Sequence, residues 1–344
     1  MSAPVLEISR SAFRSNVQAV RERIAPSDLM LVMKDDAYGH GVDWAVPIAV
    51  ECGVEWFGAY DVDTALRIRA LSDGRIFAWA TSTPQEAERA VSAGIDLGVG
   101  SAGYLRGVIA AAERLGVRAD VHLKIDTGLH RNGFRPEEWD QAVAIAREAE
   151  IRGIVHVAGV WSHLAEASDE EDDQSRVAFL SAVARLQDAG GSPDVLHLTA
   201  SAASWWRPEL RGSLCRIGAF CYGIRSADGP HLDGVRPIAR LVARVTRITD
   251  QGVEVGVGAY HGLPSTLRGV GVGTPRGVRR IVRVDADTTV VESWPGAAAG
   301  DEVVVFGAGE QGEADATRLA EHIDTVGEEI LTRLTPAVRR VLRD

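Results

Sequence analysis

Five short segments of the sequence gather the residue types that acid–base and nucleophilic chemistry needs. The first is MKDDAYGHG (33–41), in which Lys34 follows an apolar run and precedes two glycines. A lysine beside apolar neighbours is partly desolvated, which favours the neutral amine that can condense with a carbonyl to form an imine. Taken alone, this segment is better interpreted as a surface lysine in a glycine-rich turn.

The other four segments also follow apolar runs. They are KIDTGLHRNGF (124–134), WSHLAEAS (161–168), HLTASAAS (197–204) and CRIGAFCYG (215–223). Packing alone rarely places five polar clusters after successive apolar runs, so together they indicate one functional site. For His197 a hydrogen-bonded structural histidine at a strand end is an equally good interpretation. For Trp205 and Trp206 packing is the better interpretation.

The elements that must position these segments are short apolar runs alternating with amphipathic stretches. Helical spacing of apolar residues is clear in PQEAERAVSAG (84–94) and EEWDQAVAIAREAE (137–150). Eight strands alternating with helices predict an α/β fold, a (β/α)8 barrel of TIM type, whose active site lies at the carboxyl ends of the strands. An open, doubly wound sheet is the alternative. The predicted strands are 29–33, 56–60, 75–79, 97–100, 121–125, 157–161, 195–198 and 216–219.

The chain has a different pattern after residue 228. Short runs rich in Val and Ile, separated by Gly, Pro and Asp, predict a small, mainly β domain. Two helical stretches, 314–323 and 325–334, close the chain. We therefore predict a barrel domain over 1–228 and a β-rich domain with terminal helices over 229–344.

The bulk composition limits the partners. With 37 basic and 48 acidic residues the net charge is −11, a sign that repels nucleic acid and anionic membrane surfaces. We find no apolar run of membrane-spanning length and no signal peptide, so we expect a cytoplasmic protein. The cysteines at 52, 215 and 221 have neither the spacing of a zinc site nor that of a disulfide framework, and no metal is expected.

The polar segments resemble the motifs of the alanine racemase family, which are barrel enzymes that use pyridoxal 5'-phosphate (PLP). The similarity extends from residue 8 to about residue 224. KDDAYGHG is similar to the family's KADAYGHG, which implies that Lys34 is the imine lysine and that Tyr38 hydrogen-bonds the cofactor phosphate. KIDTGLHRNGF resembles KVDTGMxRLGF, which implies that Lys124, often carbamylated in the family, orients Arg131 towards the substrate carboxylate.

The resemblance also implies the rest of the cofactor site. CRIGAFCYG is similar to RPGIALYG, so Arg216 is expected to face the pyridine nitrogen, where a fixed cation disfavours ring protonation and suppresses side reactions. Ser201 falls on the family's phosphate-binding serine. The amides of Gly218 and Ala219 are expected to complete the phosphate nest. His163 matches a histidine beside the pyridine ring.

The β-rich domain departs from the family. The family's second base is a tyrosine in a VSYG segment, supplied by the partner subunit. GAYHGLP (258–264) aligns with the family's GYADGLP, and on that alignment the segment with this tyrosine is missing between 248 and 257. Racemisation by two bases needs a proton acceptor on each face of the substrate. We take Tyr260 as the replacement, with His261 as the other candidate, although a loop aromatic is the plainer interpretation of Tyr260.

Three functions are compatible with this pattern. The first, which we predict, is a PLP-dependent racemase of alanine or a similar small amino acid, acting as a homodimer. The second is a one-base PLP enzyme that performs elimination or aldol cleavage. The third is a non-catalytic PLP-binding protein. The missing tyrosine keeps the second and third open, whereas the nearly complete lysine motifs favour the first.

Overall fold

The structure is a computed structural model that describes residues 3–344. The chain forms two compact units that do not follow chain order. The first, which we call the barrel unit, consists of Val20–Lys34 and Val42–Gly218. The second, which we call the β unit, consists of 3–19, Asp35–Gly41 and Ala219–Asp344.

The barrel unit contains one parallel sheet of eight strands. Its strands are β2 (Asp28–Val32), β3 (Trp56–Ala59), β4 (Arg75–Ala78), β5 (Asp96–Val99), β6 (Ala119–Lys124), β7 (Val155–Trp161), β8 (Val195–His197) and β9 (Leu214–Ile217). They lie in the order β8-β7-β6-β5-β4-β3-β2-β9. Between the two outer strands, the backbone N–H of Arg216 in β9 donates to the carbonyl of Thr199, which follows β8 (3.2 Å). The predicted TIM-like barrel is confirmed. A doubly wound sheet reverses its strand order at a switch point, and this sheet does not.

Helices alternate with the barrel strands. The helices of the chain are α1 (Arg10–Ile24), α2 (Lys34–Tyr38), α3 (Val42–Glu51), α4 (Val62–Arg69), α5 (Pro84–Ser92), α6 (Ala102–Leu115), α7 (Trp139–Ile151), α8 (Asp169–Asp188), α9 (Ser201–Trp206), α10 (Ala316–His322) and α11 (Gly327–Thr332). Local sequence sets their starts, as at α5, where Thr83 and Glu86 form a capping box around Pro84. In the part of the chain that is described, no helix has the length and apolar character needed to cross a membrane.

Large aromatic side chains fill the inside of the barrel unit. Phe77 on β4 contacts Trp161 edge-on (5.1 Å between ring centroids) and stacks on Trp79 (5.8 Å). Gly98 on β5 leaves the space for these rings, because a Cβ there would approach Phe77 and Trp161 to 3.0 Å. The barrel interior is therefore a packed core, and a ligand site can form only at its ends.

The β unit contains the second sheet, also of eight strands. Its strands are β1 (Val5–Ser9), β10 (Ala239–Thr249), β11 (Gly252–Val255), β12 (Gly271–Thr274), β13 (Gly277–Val284), β14 (Thr289–Val291), β15 (Glu302–Phe306) and β16 (Arg339–Arg343). The six strands β10 to β15 close into an antiparallel barrel. The prediction of a mainly β region after the barrel is confirmed. The helices α10 and α11 lie before its last strand, β16, and do not close the chain.

The N-terminal strand β1 belongs to the β unit, although the sequence analysis placed the barrel domain over 1–228. It pairs antiparallel with β10 and parallel with β16, and its Leu6 and Ile8 are fully buried. An alternating pentapeptide such as VLEIS shows which face is buried but carries no information on which strand it pairs with. The strands β12 and β16 have a weak strand signal, because their sequences are rich in glycine and arginine, respectively.

We predict that Ile8→Ala lowers the free energy of unfolding by about 2–5 kcal/mol, because it leaves a cavity between β1 and its neighbours. Ile248→Ala is the matched control, since Ile248 lies on β10 of the same sheet and is 49% exposed; it should cost less than about 1 kcal/mol. Denaturant unfolding measures both. Equal effects of the two substitutions would contradict the pairing of β1.

Candidate active site

Seven of the predicted site residues lie in the barrel unit, at or just beyond the carboxyl ends of its strands. They are Lys34 after β2, Lys124 at the end of β6, Arg131 in the following loop, His163 after β7, Ser201 at the start of α9, Arg216 in β9 and Gly218 after it. In parallel barrels this end carries the active site. The fold therefore brings these seven residues to the end where chemistry is expected.

Arg216 is a buried guanidinium that neutral groups hold in place. Its Nη1 donates to the carbonyl of His197 (2.7 Å) and to His197 Nδ1 (3.1 Å). Its Nη2 donates to the carbonyls of Ser162 (2.7 Å) and Leu198 (3.2 Å) and to His163 Nδ1 (3.2 Å). Burial lowers the pKa of Arg216 to about 10, so it stays cationic at neutral pH. Among residues 3–344, Nε has no hydrogen-bond partner and the guanidinium has no carboxylate partner.

The barrel mouth gathers four basic side chains, although the chain as a whole is acidic. The pKa of His163 is lowered to about 3 by burial and then by the charges of Arg216, Arg131, Lys124 and Lys34. The imidazole is therefore neutral, and its Nδ1 can accept the hydrogen bond from Arg216. A cluster of four cations in a chain with a net charge of −11 is a local attractor for anionic ligands.

Lys124 is the second lysine of the cluster and is buried. Its Nζ lies 4.5 Å from the centroid of the Trp161 ring. Burial, followed by the charges of Arg131 and Arg216, lowers the pKa of Lys124 to about 8, while Asp126 opposes the shift. An appreciable fraction of this amine is consequently neutral near pH 8, where an ordinary lysine is almost fully protonated.

Ser201 and Gly218 lie side by side. The Gly218 N–H points at the Ser201 hydroxyl, with 3.4 Å between nitrogen and oxygen. Ala200 gives α9 no side-chain cap, and Glu166 accepts the Ala203 N–H instead (3.1 Å). The sequence analysis did not single out Glu166. Its backbone has a positive φ of 54°, and nothing in the local sequence predicts that conformation.

Tyr38 and Ala219 lie in the β unit. Tyr38 ends a run of four residues, from Asp35, with φ of 54–56°, which forms one left-handed turn closed by the Gly39 N–H and the Asp35 carbonyl (2.8 Å). The sequence predicted only a glycine-rich turn here. Burial, followed by the charge of Glu328, raises the pKa of Tyr38 well above its usual value, and a hydrogen bond from the Ala219 amide opposes this.

Tyr260 and His261 lie on a short 3-10 helix (Ala259–His261) of the β unit. Tyr260 is 70% exposed. His261 Nδ1 accepts the Gly258 N–H (3.0 Å), so the neutral ring carries its proton on Nε2 and presents a donor there. Both side chains can therefore present a proton donor, the Tyr260 hydroxyl and His261 Nε2.

The connection between β10 and β11 is a two-residue turn. Thr249 pairs with Gly252, and only Asp250 and Gln251 lie between them. This tight hairpin lies in the interval where the sequence analysis located the missing VSYG segment.

The amino-acid composition also points to Lys34 and Lys124. Of the 37 basic residues only two are lysines, Lys34 and Lys124. Arginine cannot replace a primary amine in imine or carbamate chemistry. Both lysines of the chain therefore belong to the cationic cluster of the barrel mouth.

Two family models together span most of the chain. The model described as "Alanine racemase, N-terminal domain" matches residues 8–226, and "Alanine racemase, C-terminal domain" matches 244–342. The chain belongs to the alanine racemase family. The resemblance of the lysine-bearing motifs is thereby confirmed, and the match includes the β-rich domain in which the motifs depart.

Curated relatives and solved structures agree with this assignment. Alanine racemase of Thermobifida fusca is 35% identical over 97% of this chain and 96% of its own length. Alanine racemase of Beutenbergia cavernae is 36% identical with the same coverages. The structure of alanine racemase from Streptomyces coelicolor superposes with a TM-score of 0.94 at 30% identity, covering 99% of this chain and 98% of that one.

The alignments also indicate that this chain is shortened. The aligned span with the Thermobifida fusca protein is 363 positions, which exceeds the 344 residues of this chain by 19. The relative therefore contains residues with no counterpart here. This agrees with a deletion in this chain relative to that protein.

We predict that Lys124 forms a carbamate with carbon dioxide, because only a neutral amine can add to it. With 13C-labelled bicarbonate, the protein should show a carbamate resonance near pH 8 that weakens as the pH falls, since protonation removes the neutral amine. Lys124→Arg should abolish the resonance and Lys34→Arg should leave it. A signal that survives Lys124→Arg would contradict the assignment.

Proposed function

We propose that this chain is a PLP-dependent isomerase that interconverts the enantiomers of alanine or a similar small amino acid. One observation carries the proposal: Arg216 is buried, cationic and held by neutral groups, and its Nε–H has no hydrogen-bond partner among residues 3–344. Both lysines of the chain lie at the same end of the barrel. The relatives named alanine racemase support the same reaction. We further propose that the protein acts in the cytoplasm as a homodimer.

The residues of the barrel mouth fit PLP. A phosphate needs donors, and the Ser201 hydroxyl and Gly218 amide lie 3.4 Å apart. A pyridine nitrogen needs one donor, and Arg216 Nε is a donor with no partner within residues 3–344. An aldehyde needs a primary amine, which Lys34 supplies. PLP, when bound, delocalises the electron pair that is left when Cα loses its proton. The phosphate roles of Tyr38 and Ala219 stay sequence-based predictions.

The charges of the mouth assign further roles. Arg216, a permanent cation that only donates, disfavours a proton on the nitrogen it faces. Neutral His163 accepts from Arg216 Nη2 and so helps to fix the guanidinium plane. Arg131 is assigned to the substrate carboxylate, because its charge reaches both Lys124 and His163. Lys124, as amine or carbamate, is assigned to positioning Arg131.

Inversion at Cα requires that one group removes a proton from one face and another group supplies a proton to the opposite face. We assign Lys34 Nζ to the first face. We assign the Tyr260 hydroxyl to the second, since the family's second base is also a tyrosine and the Tyr260 side chain is exposed. In the homodimer that we propose, Tyr260 serves the site of the partner subunit, as the family's second base does.

Deuterium incorporation at Cα tests this function. PLP-loaded protein is incubated in D2O with L-alanine and, separately, with D-alanine. The enantiomers are then separated by chiral chromatography, and mass spectrometry measures the deuterium content of each. Both enantiomers should exchange and invert. Lys34→Ala should stop exchange from both. Tyr260→Phe should slow inversion at least about hundredfold while one enantiomer still exchanges. Tyr104→Phe, which removes a tyrosine hydroxyl elsewhere, is the control.

Each alternative has its own outcome. Absence of exchange from a panel of small amino acids would contradict the proposal and favour a non-catalytic PLP protein. Exchange without inversion, accompanied by pyruvate, ammonia or an aldehyde, would establish the one-base enzyme instead. Full activity of Tyr260→Phe would show that another group serves the second face.

A further inference from the structure

A line of hydrogen bonds crosses the inside of the barrel unit and ends at Arg216. His197 Nδ1 lies 3.1 Å from Arg216 Nη1, and His197 Nε2 lies 2.8 Å from His122 Nδ1. His122 Nε2 lies 3.0 Å from Asp96 Oδ2, which also accepts Arg75 Nη2 (2.6 Å). Arg75 and Asp96 begin β4 and β5, at the opposite end of the barrel from Lys34.

Buried polar groups are costly unless every one of them has a partner. His122 and His197 are fully buried, and Asp96 and Arg216 nearly so. Both nitrogens of each imidazole are used. Apart from Arg216 Nε, the hydrogen-bonding atoms of the line are therefore paired inside an aromatic core. The line extends far beyond the residues that could touch a ligand.

The two ends of the line fix the direction of every hydrogen bond in it. Arginine can only donate, so His197 Nδ1 accepts and neutral His197 carries its proton on Nε2. That proton is donated to His122 Nδ1, so neutral His122 carries its own proton on Nε2 and donates it to the Asp96 carboxylate. A cationic His122 would donate from Nδ1 to His197 Nε2. The proton of His197 would then lie on Nδ1, so that two donors, His197 Nδ1–H and Arg216 Nη1–H, would face each other. Burial, followed by the charges of His122 and Arg216, lowers the pKa of His197 far below its usual value, in agreement with a neutral ring.

Neighbouring residues leave space for this line. Gly159 on β7 pairs with His122 on β6 and with Val195 on β8, so it lies between the two imidazole-bearing strands. A Cβ on Gly159 would overlap the His122 ring. Phe77 packs against both imidazoles, with centroids 4.7 Å from His122 and 5.1 Å from His197, and makes no hydrogen bond to either ring.

We propose that Asp96 and His122 are positioning residues for Arg216. They hold His197 in the Nε2–H tautomer, so that its Nδ1 accepts from Arg216 and fixes the guanidinium with Nε–H directed into the barrel mouth. Arg75 in turn holds the Asp96 carboxylate. The link between this positioning and the cofactor rests on the function proposed above. The predicted tautomers of His122 and His197 do not depend on that function.

Two independent readouts test the proposal on the full-length protein, with and without PLP. Nitrogen-15 spectra of histidine-labelled protein report which nitrogen of each ring carries the proton. We expect Nε2–H for both His122 and His197. The second readout is the affinity for PLP together with kcat and KM for alanine. Because Arg216 is assigned to the cofactor and not to the substrate, a change in its position should alter kcat more than KM.

Three variants separate positioning from packing. His122→Phe keeps a ring but removes the acceptor of His197, and it should weaken PLP binding and lower kcat about tenfold, with KM changed much less. Phe77→Leu, the packing control, should keep both tautomers and lose less than about threefold in either quantity. Asp96→Asn keeps an accepting oxygen without the charge, so it is the milder variant. It should keep both tautomers and weaken PLP binding by about threefold.

The outcomes are distinct from those of the proposed function. An Nδ1–H tautomer of His197 in the native protein would overturn the positioning even if the enzyme racemises alanine. So would a His122→Phe variant whose PLP affinity and kcat match those of Phe77→Leu. The predicted tautomers, found in protein that exchanges no Cα proton, would support the positioning and reject only the racemase function.

Discussion

The site depends on keeping one guanidinium charged in a place where water cannot solvate it. Burying a charge is costly unless it is paired and hydrogen-bonded, and Arg216 has no carboxylate partner among residues 3–344. Three main-chain carbonyls and two imidazole nitrogens take that place. Neutral acceptors stabilise the cation without cancelling its field, so the barrel mouth stays positive and one N–H remains for a ligand.

Much of this arrangement could be predicted from local sequence. The eight barrel strands, and the polar segments that follow them in the chain, can be predicted from apolar periodicity. The lysine motifs carry enough specific residues to identify the family. Parallel strands have a single carboxyl edge, so residues far apart in the chain, such as Lys34 and Arg216, are brought to one end of the barrel once the strand order is known.

Other features depend on contacts that no local pattern contains. The pairing of β1 with β10 and β16 is a long-range choice that a five-residue strand does not reveal. The left-handed turn from Asp35 to Tyr38 has only Gly39 and Gly41 beside it as a hint, and its four residues adopt a conformation that costs about 1–2 kcal/mol each. The line from Asp96 to Arg216 joins residues on four different strands, so it becomes visible only in three dimensions.

The two halves of the family's site have diverged differently. The barrel unit carries Lys34, Lys124, Arg131 and Arg216, whereas in the β unit a two-residue hairpin joins β10 and β11 in the interval where the sequence predicts that the family's tyrosine segment is missing. A chain that retains the cofactor groups but replaces the second proton donor can keep its chemistry only if another hydroxyl or amine serves that face. Tyr260, whose side chain is 70% exposed, is the residue that we propose for that face.

The most direct measurement of the central claim uses the scarcity of lysine in this chain. The protein is loaded with PLP, reduced with borohydride, digested and sequenced by mass spectrometry. The account predicts a single phosphopyridoxyl adduct, on Lys34, with Lys124 unmodified, because the chain has only these two lysines. Protein that stays colourless and carries no adduct, or carries it on Lys124, would contradict the account.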